Sequence, residues 1–129
     1  MDMTRNRAPE DLLPLTPAVF HILLALASGE LHGYGIMQDV ARQTNDVLQL
    51  GPGTLYGCLK RMLAAGLVIG SDERPDPLLD DERRRYYRMT ELGQRVVRAE
   101  AERLATAVRA AKGKQLLPLR KAVLARGRS

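Results

Sequence analysis

Apolar residues recur at helical spacing in several separate stretches of the chain. The first begins at Thr16-Pro17, a capping residue followed by proline at the first helical position, and predicts a helix that ends near Ser28. This helix is apolar nearly all round, so in a small domain part of its cover is expected from a second subunit. A second amphipathic helix is predicted over 32–44.

The stretch 51–66 predicts a third helix with two different faces. Pro52 is suited to its first turn and Gly66 to its C-terminal cap. The predicted inner face consists of apolar residues, namely Leu55, Cys58, Leu59, Met62 and Leu63. The outer face consists of Tyr56, Gly57, Lys60, Arg61 and Ala64, with Thr54 at its edge. Because no carboxylate occurs from 51 to 66, this face suits a DNA major groove, although an ordinary solvated helix face has the same pattern.

Two short runs after the third helix predict a β-hairpin. Residues 67–69 are apolar and rich in β-branched side chains, residues 84–89 alternate as a half-buried strand does, and a proline-containing loop separates them. Three helices followed by a hairpin is the order of a winged helix-turn-helix, in which the third helix contacts DNA and the hairpin is the wing. The predicted fold class is therefore mainly α with a small β-hairpin, a winged helix-turn-helix plus a long C-terminal helix.

The long C-terminal helix is predicted over 90–113, with Thr90 as its cap. A short heptad seam runs along it, with apolar residues 4, 3, 4 and 3 positions apart: Val97, Ala101, Leu104, Val108 and Ala111. We expect this seam to pack against a partner subunit, with packing on its own domain as the alternative. The predicted organisation is an arm at 1–15, a winged domain at 16–89, this helix, and a basic tail at 114–129.

The composition is that of one small globular domain with a basic end. The 129 residues suffice for a single core, and 45% of them are hydrophobic and 27% charged. The net charge is +5, and residues 101–129 hold eight basic side chains and one acidic side chain. That end suggests a polyanionic partner, although a solvated tail has the same composition. No signal peptide, transmembrane run or lipidation signal is evident, so we expect a cytoplasmic protein that does not bind membranes.

The sequence offers little for catalysis. His21 and His32 are the only histidines and Cys58 is the only cysteine, and they show no metal-ligand spacing. The stretch 51–53 lacks the lysine and hydroxyl residue that end a phosphate-binding loop. We therefore expect no enzyme activity, no metal site and no cofactor, and we expect Cys58 to act as a small buried apolar residue.

Several short motifs occur in a defined order along the chain. Leu31-His32-Gly33-Tyr34-Gly35-Ile36 opens the second helix, and the third contains Gly53-Thr54-Leu55-Tyr56 and Leu59-Lys60-Arg61-Met62. Gly66-Leu67-Val68, Arg85-Tyr86-Tyr87 and Thr90-Glu91-Leu92-Gly93 follow. With these motifs the chain resembles the PadR family of transcriptional regulators, which are dimeric winged-helix repressors, over roughly 12–112. It departs from the family at Gly57-Cys58, where Pro-Ala is usual, and its short C-terminal region resembles the compact branch of the family.

The resemblance implies a double-stranded DNA partner and the residues that contact it. Tyr34, Thr54, Tyr56 and Lys60 match positions that the family uses at DNA, and Gly57 and Arg61 lie on the same predicted face. Hydroxyl groups can donate to phosphate oxygens, and the cations can neutralise phosphates or reach guanine edges. For Tyr34 the alternative is a half-buried packing role. Tyr86, by contrast, is expected in the core.

The wing is ambiguous on charge. Arg74, Arg83 and Arg84 could contact the minor groove or its phosphates, but acidic side chains lie between and beside them. We therefore expect only some of these arginines to touch DNA.

The resemblance also implies a homodimer built by the last helix, with its heptad seam, and by the first helix, with Phe20 and Leu23. A dimer with recognition helices about one DNA turn apart, ~34 Å, predicts an inverted-repeat operator. The alternative function is a winged-helix binding module that acts through a protein partner, or through a small hydrophobic ligand at the dimer interface. A small-molecule or protein effector is compatible with either function.

Overall fold

The computed structural model describes residues 8–71 and 85–118. Within them a short 3-10 turn at Pro9–Leu12 is followed by four helices and three strands. In chain order these are α1 (Pro17–Leu26), β1 (Leu31–His32), α2 (Gly33–Gln43), α3 (Pro52–Ala64), β2 (Val68–Ser71), β3 (Tyr86–Met89) and α4 (Glu91–Gly113). The predicted fold class is confirmed, since α1, α2 and α3 precede the antiparallel pair β2 and β3 and the long helix α4 follows it.

Helix α1 lies at the centre of the core. The Thr16 side chain caps it by accepting a hydrogen bond from the Val19 N–H at 3.2 Å, as the Thr-Pro signal predicts. The helix ends at Leu26, two residues before the predicted end. Leu23 has no exposed surface and packs within the same chain, so the prediction that it contacts a second subunit is wrong. Phe20 is half-buried at the edge of the core.

Helices α2 and α3 form the helix-turn-helix unit. His32 caps α2, because its Nδ1 accepts a hydrogen bond from the Gly35 N–H at 2.9 Å. The inner face of α3 is buried as predicted at four positions, namely Leu55, Cys58, Leu59 and Met62. Leu63 is instead 37% exposed. At 100° per residue it lies about 80° from Leu55, at the edge of the apolar face.

The sheet has three strands rather than the two of the predicted hairpin. The strand order is β1-β3-β2, and both pairs are antiparallel. The tyrosine of β3 that lies in the core is Tyr87, which is 5% exposed and pairs with Leu31 and Gly70. The expectation that Tyr86 is the core residue is therefore wrong, because the two-residue period of the strand turns its side chain to the other face. Tyr86 is half-buried, with its ring edge-on to the His32 ring.

Helix α4 begins in the core and then leaves it. Thr90 caps it as predicted, and Val96, Val97 and Glu100 are buried. Because Val97 is only 6% exposed within its own chain, its assignment to an intersubunit seam is wrong. From Ala101 onward the helix is exposed or half-buried at every position.

Candidate nucleic-acid interface

The outer face of α3 exposes two adjacent cations and a hydroxyl group. Thr54, Lys60 and Arg61 are all exposed, as predicted for a face that meets DNA. Gly51 and Gly53 at the start of the helix have no atom within 4 Å of the place where a Cβ would stand, so the backbone there is open to a large partner. The buried inner face fixes this outer face toward solvent.

Arg61 lies back along its own helix. Its Nη2 is 3.5 Å from the Cys58 Sγ, one turn toward the N-terminus. Its Nη1 lies 3.7 Å from the place where a Cβ of residue 57 would stand. The small residue Gly57 therefore lies beside the guanidinium group of this exposed side chain.

Tyr56 differs from the prediction. The sequence puts its phenol on the outer face, but the residue is half-buried and its hydroxyl oxygen is buried. The ring lies against Gly33 at the start of α2, where an added Cβ would overlap the hydroxyl oxygen and come within 2.8 Å of Cζ. In this conformation Tyr56 spaces α2 and α3, and the hydroxyl is not presented to a phosphate. Helical periodicity alone missed this because the contact comes from tertiary packing.

Tyr34 extends the exposed surface onto α2. It is 48% exposed and stacks on the His32 ring with 6.5 Å between centroids, so the half-buried alternative does not describe it. It lines a shallow hollow together with Gln38 and Gln49, which sequence reasoning missed. The spacing of four residues between Tyr34 and Gln38 could have indicated that they share a helix face.

The predicted wing residues lie outside the part of the chain that is described. Arg74, Arg83 and Arg84 belong to 72–84, so their contacts stay a prediction. At the described base of the wing, Arg85 and Arg88 are exposed. They add two cations next to the sheet.

A buried carboxylate links the N-terminal arm to α4. Glu100 is 1% exposed, and its Oε2 accepts hydrogen bonds from the Leu15 N–H at 2.9 Å and from the Arg103 Nη2 at 3.1 Å. Arg103 Nε donates to the other carboxylate oxygen. The hydrogen bonds from Arg103 hold the pKa of Glu100 below its ordinary value, and they outweigh the opposing effect of burial. Sequence patterns missed this residue because only the docked arm makes it a buried partner.

The exposed part of α4 retains the other predicted seam residues. Ala101 and Val108 are exposed, Val108 by 43%, while Leu104 and Ala111 are half-buried. Two further apolar side chains follow the helix, Leu116 at 73% and Leu117 at 42% exposed. This apolar surface, which we call the α4 seam, consists of Ala101, Leu104, Val108 and Ala111.

Residues 8–71 and 85–118 contain no cluster suited to a metal ion and no membrane-spanning helix. No group of three or more His, Cys, Asp or Glu residues is arranged to hold a metal ion there. Nor is any helix of that region both long and apolar enough to cross a membrane.

Comparison with known proteins identifies the same fold and a regulatory family. The model of the transcriptional regulator PadR-like family matches residues 22–99, more than half of the chain. Transcriptional regulator Rv3488 of Mycobacterium tuberculosis is 38% identical over 74 residues, which are 57% of this chain and 63% of the relative. A 37.1 kDa protein of unknown function in a transposon of Streptomyces fradiae is 37% identical over 84 residues, 65% of this chain and 22% of that protein. The chain thus spans less than two thirds of the length of either relative.

Solved structures share the fold at low identity. A PadR-family transcription regulator of Clostridium difficile aligns with a TM-score of 0.62 at 20% identity, over 78% of this chain and 99% of that one. Bacillus subtilis PadR, solved in complex with operator DNA, aligns with a TM-score of 0.56 at 20% identity, over 67% of this chain and 46% of that one.

Proposed function

Because the chain belongs to the PadR-like family of transcriptional regulators, we propose that it is a sequence-specific DNA-binding repressor that acts as a dimer on an inverted-repeat operator. Helix α3 enters the major groove in this proposal, and the wing at 70–84 contacts the flanking backbone. The observation that carries the proposal is the division of α3 into a buried apolar face and an exposed cationic face without a carboxylate.

The roles of individual residues follow from their exposure. Lys60 and Arg61 supply charge to phosphates or guanine edges, and the Thr54 hydroxyl donates to a phosphate oxygen. Tyr34, with Gln38 and Gln49 beside it, contacts DNA from the start of α2 and from the turn before α3. Tyr56 supports the surface by fixing the distance between α2 and α3 rather than by binding phosphate.

The dimer is proposed from the α4 seam. Four apolar positions lie along a helix segment that has left its own core, and two more exposed leucines follow. A second copy would cover this surface and bring a second α3 to the same side of the DNA. Half-sites about one helical turn apart, ~34 Å, are the expected result.

The test is the difference between specific and non-specific binding at defined salt. Fluorescence anisotropy compares the DNA upstream of the coding sequence with a scrambled duplex of equal composition, from low to physiological salt. We expect the upstream DNA to bind at least ~10³-fold more tightly at physiological salt. Equal binding of the two duplexes that disappears with salt would mean that the cations give only non-specific electrostatic attraction to DNA. That result would favour the alternative function, a winged-helix module that acts through a protein or a hydrophobic ligand.

A further inference from the structure

The C-terminal end of α3 is closed by a tight backbone motif. Gly66, in the left-handed conformation at φ 80°, donates its N–H to the Leu63 carbonyl at 3.1 Å. Leu67 donates its N–H to the Met62 carbonyl at 2.9 Å. These two bonds form a Schellman motif, which satisfies the last helical carbonyls and fixes the direction in which the chain leaves the recognition helix.

The next two carbonyls are bound by the residue that starts α4. The Thr90 hydroxyl donates to the Gly66 carbonyl at 2.6 Å, and the Thr90 N–H donates to the Leu67 carbonyl at 3.0 Å. The same hydroxyl oxygen accepts the Gly93 N–H at 3.0 Å as the cap of α4. The Thr90 side chain therefore caps α4 and connects it to the turn that ends α3.

Gly93 brings the two backbones into direct contact. It is buried, and an added Cβ would overlap the Leu67 carbonyl oxygen and lie 2.8 Å from the Met89 Cγ. A backbone carbonyl cannot rotate away as the end of a side chain can. Gly66, Leu67, Thr90 and Gly93 thus form a joint between α3 and α4 with little room for adjustment, which we call the α3–α4 joint.

We propose that the α3–α4 joint sets the separation and angle of the two recognition helices, and that Thr90 and Gly93 are positioning residues for the spacing of the operator half-sites. The inference rests on the proposed dimer, in which α4 makes the intersubunit contact and α3 the DNA contact. Adding one base pair between half-sites moves one of them by ~3.4 Å and turns it by roughly 34° about the DNA axis. A stiff joint resists that movement, whereas a loosened joint accommodates it.

The experiment is a selection from a pool of randomised duplexes, so that no operator has to be known. Wild type, Thr90→Val and Thr90→Ser are each used to enrich DNA, and the recovered half-sites and their spacing are read by sequencing. Wild type is expected to recover one inverted repeat with one spacing. That spacing should be enriched about tenfold or more over spacings that differ by one base pair. Thr90→Val keeps the shape of the side chain without the hydroxyl. It is expected to recover the same half-site at several spacings, whose enrichments differ by no more than about threefold. Thr90→Ser restores the hydroxyl and should restore the single spacing.

Two further variants separate the joint from stability. Thr16→Val removes the matching cap of α1, whose hydroxyl oxygen accepts the Val19 N–H within the first turn of the same helix, and should keep the single spacing. Thr90→Asp keeps an acceptor for the Gly93 N–H but has no proton for the Gly66 carbonyl, and should behave as Thr90→Val while α4 stays capped. Circular dichroism melts verify that each variant is folded at the temperature of the selection.

The outcomes distinguish the inference from the function on which it rests. A single spacing recovered by both Thr90→Val and Thr90→Asp would overturn the role of the joint and leave the dimeric repressor intact. If the wild type recovered no inverted repeat, the proposed inverted-repeat operator would be wrong. The proposed role of the joint in half-site spacing would then be wrong as well.

Discussion

At the scale of single residues, two buried contacts hold separate parts of the chain together. The first is between Gly33 and Tyr56, which sets how closely α2 and α3 approach. The second is the Glu100 carboxylate, which ties the arm at Leu15 and the Arg103 side chain to α4. The sequence pattern could not predict either contact. Gly33 and Tyr56 are far apart in the sequence, and so are Glu100 and Leu15. The motifs drew attention to Gly33 and Tyr56 but not to their mutual contact.

Gly33→Ala is expected to destabilise the fold by about 1–3 kcal/mol, because its Cβ would overlap the Tyr56 hydroxyl oxygen in a packed site. Urea unfolding at neutral pH measures the change. Gly35→Ala is the matched control in the same helical turn, where the nearest atoms to a new Cβ are those of the His32 ring at 3.4 Å. Equal stability of the two variants would contradict the assigned role of the Gly33 contact.

Glu100→Gln is expected to cost roughly 1–3 kcal/mol at pH 7, because a buried charged hydrogen-bond acceptor is replaced while Leu15 and Arg103 keep their donors. The lowered pKa gives the pH dependence: the folded state binds the Glu100 proton more weakly than the unfolded state. The stabilisation is therefore fully present above the ordinary value of 4.5 and is lost as the pH falls through the lowered pKa.

Urea unfolding curves from pH 7 to pH 3 measure this dependence. The difference in stability between wild type and Glu100→Gln should shrink toward the acid end. Glu102→Gln, at an exposed position on the same helix, is the control for general charge effects. A difference that stays constant over the whole pH range would rule out the buried carboxylate as its source.

At the scale of secondary-structure elements, the helices were largely predictable and the sheet only in part. Thr16-Pro17 and Thr90 are local start signals, and the structure uses both as caps. Strand β1 has only two residues, and it is a strand because it pairs with β3. No local sequence pattern could therefore predict it. Leu63 shows the limit of periodicity in α3, since a residue at the edge of the apolar face is buried or exposed according to its neighbours.

Helix α3 exposes two adjacent cations, Lys60 and Arg61, on its outer face. Lys60→Ala and Arg61→Ala are each expected to weaken DNA binding and to reduce the slope of log affinity against log salt by about one unit, as loss of one phosphate contact does. Anisotropy titrations of the upstream duplex at several salt concentrations measure both quantities. Lys112→Ala removes another exposed cation, near the end of α4, and should leave the slope nearly unchanged. If Lys60→Ala left the slope as it is in wild type, Lys60 would be removed from the interface.

At the scale of the whole molecule, the proposed function needs two copies of the chain. The exposed half of α4 carries apolar residues that its own domain does not cover, and the α3–α4 joint connects that helix to α3, the proposed recognition helix. The heptad spacing predicted a seam, but it assigned Val97 to the partner, and Leu23 was assigned there as well. Both side chains are buried in the core of their own chain. This burial depends on tertiary packing, so the heptad spacing could not predict it.

Leu104→Glu is expected to yield monomers, because it puts a charge in the middle of the α4 seam, and therefore to weaken DNA binding sharply. Sedimentation equilibrium gives the mass directly. Thr106→Glu adds the same charge at an exposed position outside the seam and should leave the dimer intact. A dimeric Leu104→Glu variant would mean that another surface holds the two copies together.

Hydroxyl-radical footprinting of the upstream DNA shows whether two recognition helices bind one symmetric operator, as we propose. We predict two protected patches about one helical turn apart, related by a dyad in the sequence, which disappear together in the variant lacking both Lys60 and Arg61. Protection of a single patch, protection without dyad symmetry, or protection that persists in that variant would contradict the account.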